Sequence, residues 1–85
     1  MKIKIKAHIK EKQEKTVKID TEFIRLDALL KLCDCVQSGG HAKICIQNGE
    51  VRVNGEICLQ RGKKMHPGET AEYNNMICKI EKNGN

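Results

Sequence analysis

Apolar residues recur along this chain with two different periods, and each change of period marks an element. From Lys2 to Lys10 the alternation is strict, with Ile3, Ile5, Ala7 and Ile9 on one side and Lys2, Lys4, Lys6, His8 and Lys10 on the other. That is the period of a half-buried strand. Glu11 to Lys15 is polar throughout and reads as a turn, after which Val17 and Ile19 resume the alternation, so residues 1–20 predict a strand or hairpin added to the domain. Between Ile24 and Cys33 the period becomes helical. Leu26, Leu29, Leu30 and Cys33 fall at i, i+3, i+4 and i+7, with Arg25, Asp27 and Lys31 off the stripe. Asp34 to Gln37 interrupts the pattern. Ser38 then offers an N-cap for a second helix that turns Ala42, Cys45 and Ile46 to the core and stops at Asn48-Gly49.

Val51, Val53, Ile57 and Leu59 flank Asn54-Gly55, a pair whose tolerance of positive φ suits the type I′ turn of a two-residue hairpin. Gln60 to Lys64 is a polar, basic loop. His66-Pro67-Gly68-Glu69 suits a type II turn, leading into a strand that ends near Tyr73, and Asn74-Asn75 returns the chain into Met76–Ile80. Residues 81–85 are expected to fray.

Sixteen Lys and Arg against eleven Asp and Glu leave a net charge of +5 in 85 residues, which predicts one domain and puts polyanions first among partner classes. Five cysteines are an odd number, and the N-terminus alternates Lys with Ile where a signal segment would be apolar, so a reducing cytoplasm is expected. No apolar run approaches the roughly 20 residues of a membrane span, and no lipidation signal is visible, so no membrane partner is expected. Cys33-x-Cys35 is too closely spaced for a usual zinc pair and no second close pair follows. The cysteines are therefore read as small core hydrophobes, and neither metal nor other cofactor is expected. No base is identifiable for a catalytic thiol.

In order and at short spacing, the chain carries Arg25-Leu26-Asp27 with Leu30, Ser38 with Ala42-Lys43, Gly49-x-Val51-x-Val53-Asn54-Gly55, Arg61-Gly62-Lys63-Lys64 and Pro67-Gly68-Glu69. With these residues it resembles the RNA-binding domain first defined in ribosomal protein S4, and within it the small stand-alone bacterial proteins of the YaaA and YbcJ type. The resemblance covers Phe23 to Tyr73. It implies an α+β fold, the αL motif, in which two packed helices lie on a small, strongly bent antiparallel sheet, with residues 21–80 forming the domain. It also implies an RNA surface built from the helix pair and the basic loop. Where many members carry Ser-Arg, this chain has Ser38-Gly39, as in the stand-alone subgroup.

The resemblance brings Arg25, Lys43, Arg52, Arg61, Lys63 and Lys64 onto one surface as candidate phosphate contacts, against the plainer reading of a solvated charge run. Ser38, Gly39 and Gly40 open the second helix, where unpaired N–H groups and the absence of side chains would admit a phosphate; a tight helix–helix corner would also explain the glycines. His41 and Asn54 complete the candidate set. Phe23 and Tyr73 are the only aromatic residues, which disfavours base stacking and favours recognition of structured RNA through backbone and shape. The expectation is a binding protein without catalytic activity, acting on ribosomal RNA or a ribosome-assembly particle, with a ribosomal or assembly-factor protein as a further partner. The alternative is a protein–protein adaptor with weak or lost RNA binding. An RNA-modifying enzyme is disfavoured by length, because no catalytic fold remains once the RNA-binding module is assigned.

Overall fold

A computed structural model describes residues 12–84, so the alternating segment from Lys2 to Lys10 lies outside the described residues. Along the described chain come β1 (Gln13–Ile19), β2 (Ile24–Arg25), α1 (Leu26–Leu32), α2 (Gly39–Gln47), β3 (Arg52–Val53), β4 (Glu56–Ile57), β5 (Lys64–Met65), β6 (Thr70–Tyr73) and β7 (Met76–Lys82). The two helices pack on a five-stranded sheet ordered β1-β7-β6-β3-β4, and β2 and β5 form a separate ribbon. The class is the expected α+β.

The expected antiparallel sheet holds among β3, β4, β6 and β7, and the added N-terminal strand β1 joins it parallel to β7, which makes the whole sheet mixed. Everything between these two strands serves as the crossover that a parallel pair requires. Gln13 to Lys15, expected as part of a turn, belong to β1, where backbone bonding along β7 fixes the strand and the side chains stay exposed. Val17 and Ile19 point inward as the alternation predicts. β7 continues past Ile80, pairing Glu81 and Lys82 with Lys18 and Ile19, and the Asn83 N–H donates to the Ile19 carbonyl at 2.8 Å.

The helical stripe is realised in full: Leu26, Leu29, Leu30 and Cys33 are each 0% exposed. Ile24 and Arg25, which the pattern put in the helix, instead form β2 against Met65 and Lys64. Both helices end in the same motif. At α1 the Asp34 N–H bonds to the Lys31 carbonyl and the Cys35 N–H to the Leu30 carbonyl; at α2 Gly49 and Glu50 bond back to Ile46 and Cys45 in the same way. These are Schellman caps, whose C′ residue must be left-handed. Gly49 meets the requirement at φ 78°, and Asp34 meets it as a non-glycine at φ 61°. This cap turns Cys35 back toward the core.

Asn54 (φ 51°) and Gly55 (φ 90°) make the expected hairpin turn between β3 and β4. The outer side of that hairpin is not buried: Ile57 and Leu59 are more than half exposed. Of the cysteines expected as small core hydrophobes, Cys35 and Cys58 are only partly buried. Cys33, Cys45 and Cys78 are buried, but Cys33 and Cys78 meet sulfur to sulfur with Cα atoms 6.2 Å apart, within cross-linking reach.

Candidate nucleic-acid interface

The first turn of α1 has N–H groups without helical partners and no side-chain cap from Arg25. The basic loop supplies the acceptors. The Leu26 N–H donates to the Lys63 carbonyl at 2.9 Å and the Asp27 N–H to the Arg61 carbonyl at 3.1 Å. Capping the helix in this way pins the loop, so Arg61, Lys63 and Lys64 are held beside Arg25, which is itself the register partner of Lys64. Gly62 faces the guanidinium, since a Cβ there would stand 3.7 Å from an Arg25 terminal nitrogen.

These four cations are not equivalent. Asp27 grips Arg25 through two hydrogen bonds, Nε to Oδ1 at 3.2 Å and a terminal nitrogen to Oδ2 at 3.1 Å. Lys64 places its ammonium 5.0 Å from the centroid of Phe23, whose ring is tilted against His66 at 6.1 Å. Among the described residues the ion pairs involve Lys12, Lys15, Arg25 and His66, so the candidate cations Lys43, Arg52, Arg61, Lys63 and Lys64 have no carboxylate, as is also true of Lys18, Lys31, Lys79 and Lys82. A patch of unneutralised ammonium and guanidinium groups on a backbone-locked loop is suited to phosphate.

At α2, Ser38 is the N-cap, its hydroxyl accepting from the His41 N–H at 3.1 Å. Gly39 and Gly40 form the first two helical positions, and a Cβ on Gly39 would meet nothing within 4 Å, on Gly40 only the Ser38 hydroxyl at 3.9 Å. Close packing at a helix corner therefore does not explain these glycines. They leave the positive end of α2 bare, with His41 and Lys43 exposed beside it.

Arg52 and Asn54 lie on the β3–β4 hairpin. Arg52 reaches the Gly55 carbonyl at 3.4 Å and remains exposed. The Asn54 side chain is already occupied, its oxygen accepting from the Thr70 N–H at 3.1 Å and its amide donating to Glu69 at 3.3 Å. Glu69 also accepts from the His66 N–H at 2.7 Å, and that bond is the main reason its carboxyl is held below the usual range. The structure thus holds the backbone of the basic loop against the start of α1, with Lys64 the register partner of Arg25 and Lys63 also bordering the β3–β4 hairpin, groups Ser38 to Lys43 at one helix end, and gives Asn54 a structural part in the hairpin. Sequence reasoning missed Phe23 and His66 as the aromatic border of the cationic patch, and Asp27 as the anion inside it. The i, i+2 spacing of Arg25 and Asp27 across a helix start was the available signal.

The S4 domain family matches residues 17–81 of this chain. The chain is also similar to a protein of Bacillus subtilis (strain 168) named as a probable ribosome maturation protein RlbA, with 46% identity over 56 residues, 66% of this chain and 79% of that protein.

Proposed function

Because the chain belongs to the S4 domain family, we propose that it is a cytoplasmic, ribosome-associated RNA-binding protein that grips structured RNA by backbone and shape and acts in ribosome assembly without catalysing a reaction. The observation that carries this reading is the basic loop locked by its own carbonyls onto the first turn of α1, which sets Arg61, Lys63 and Lys64 beside Arg25 before any ligand arrives. A prepositioned cation cluster avoids much of the ordering entropy that binding would otherwise cost. The similarity to a protein named for ribosome maturation supports ribosomal RNA, or a particle containing it, as the target. The bare start of α2 extends the same reading as a second phosphate contact.

Co-sedimentation with ribosomal subunits and with naked ribosomal RNA tests this proposal. Salt-sensitive association is expected, with a hairpin or junction bound more tightly than a homopolymer single strand at matched salt. Equal or tighter binding of the homopolymer would contradict it. A protein-adaptor role is the second reading. Ile57 and Leu59, both more than half exposed, border a shallow concavity that Asn54, Glu56, Gln60 and Lys63 also line, a mixed apolar and polar surface that could seat a ribosomal or assembly-factor protein. Association indifferent to salt would favour that role.

A further inference from the structure

Three sulfurs that are scattered in the sequence converge under the helices. The Schellman cap of α1, with Asp34 at φ 61°, folds Cys35 back beside Cys33, and the middle of β7 brings Cys78 up from the sheet. The sulfurs of Cys33, Cys35 and Cys78 all lie within 4.8 Å of one another, and that of Cys35 is 3.5 Å from that of Cys78. Cys33 and Cys78 are 0% exposed, while Cys35 is half-buried and gives the cluster its only partly open member.

We propose that, in the reduced chain, these three cysteines form a binding site for one soft, thiophilic cation of the Cu(I) or Zn(II) class. The donor set decides the class: it holds sulfur and no carboxylate or imidazole, which selects against magnesium, calcium and manganese. Three thiolates at about 2.3 Å from a common ion stand about 4 Å apart, near the 3.5 Å between the Cys35 and Cys78 sulfurs, whereas those of Cys33 and Cys78 are in direct contact and must part to admit an ion. The ion replaces the direct contact between the Cys33 and Cys78 sulfurs, and each thiol that ligates releases its proton to solvent. Lys15, the register partner of Cys78, stands at the rim of the cluster paired with Asp34 at 2.9 Å, so the pair adds little net charge there. Bound metal would fasten the end of α1 to the centre of the sheet. Oxidation of Cys33 with Cys78 to a disulfide would remove two of the three donors, so the cross-linked chain and the metal-bound chain exclude each other.

The test uses the full chain, reduced and kept anaerobic, exposed separately to Zn(II) chloride and to Cu(I) delivered from its bicinchoninate complex. Gel filtration with elemental analysis reads retention, and X-ray absorption at the metal edge reads the donors. The wild type and Cys58→Ser should each retain one ion in at least one of the two arms, with three sulfur ligands from the protein. Cys35→Ser replaces the half-exposed ligand, so it is the variant best able to keep the fold. It should melt as a folded protein yet bind more than roughly a hundredfold more weakly, beyond what outer-shell changes alone produce. Metal should raise the melting temperature of the wild type and leave that of Cys35→Ser unchanged. Retention of neither ion by the folded, reduced wild type, equal retention by Cys35→Ser, or a shell of nitrogen and oxygen would overturn the proposal.

Discussion

Asp27→Asn should weaken the fold slightly and strengthen RNA binding. The Asp27 carboxylate lies inside the cationic patch and holds Arg25 in a two-bond fork, with the arginine side chain 54% exposed and the aspartate 17%. A phosphate recruited by Arg25 must displace or share that carboxylate. A pair this exposed is worth about 0.2–1 kcal/mol, so releasing the guanidinium should raise affinity by up to roughly fivefold. Asn keeps the oxygen that accepts from the Ala28 N–H at 2.8 Å, so the first turn of α1 remains bonded. What it loses is a negative charge at a helix N-terminus, a stability cost of about 0.3–1 kcal/mol. Opposite signs in urea melts and RNA titrations distinguish this effect from general damage. Arg25→Gln should bind more weakly and with a shallower salt dependence, and the double variant should resemble Arg25→Gln, because Asp27 acts through Arg25. Unchanged or weaker binding by Asp27→Asn would refute the competition, and an equal gain in the Arg25→Gln background would show that the charge acts without Arg25.

The two Schellman caps predict contrasting substitutions. Gly49→Ala should cost about 1 kcal/mol, several degrees in melting temperature, since its Cβ would meet only Ile57 at 3.8 Å and the penalty is the positive φ itself. At Asp34, both Gly and Ala remove the exposed pair with Lys15, so Asp34→Gly should be the more stable of the two by about 1 kcal/mol; equal urea midpoints would contradict the left-handed requirement. Glu69 has its carboxyl lowered chiefly by the His66 N–H, so its contribution is present in full above the ordinary carboxylate range and is lost as pH falls through the lowered folded value. Glu69→Gln should therefore be less stable than the wild type near neutrality, by about 1 kcal/mol or less, and converge with it in acid; a constant difference across pH would show that charge is not the cause.

Local pattern was sufficient wherever burial followed a single period. The Leu26, Leu29, Leu30 and Cys33 stripe, the Ser38 cap and the Asn54-Gly55 turn all appear where periodicity and turn chemistry place them. The parallel pairing of β1 with β7 was not legible, because it joins residues more than sixty positions apart and its first four side chains are polar and exposed. The short ribbon of β2 and β5 was hidden for a related reason, as two-residue strands carry no period. At the candidate site the cations were visible as residue types, but their order was not. Only the backbone bonds from Leu26 and Asp27 to the loop show why Arg61, Lys63 and Lys64 stand beside Arg25. The three-sulfur cluster was missed because Cys78 is 45 positions from Cys33, and spacing rules count close pairs.

The salt dependence of binding to a ribosomal RNA hairpin, with Arg61, Lys63 and Lys64 replaced together by Gln, tests the loop as an RNA grip most directly. The replaced side chains leave the backbone carbonyls that cap α1 in place, so the variant should melt like the wild type. Its affinity should fall, and the slope of log K against log salt should become shallower by about one unit for each phosphate contact removed, roughly three in all. A folded variant that keeps the affinity and slope of the wild type would contradict the assignment of the loop as the site that holds RNA.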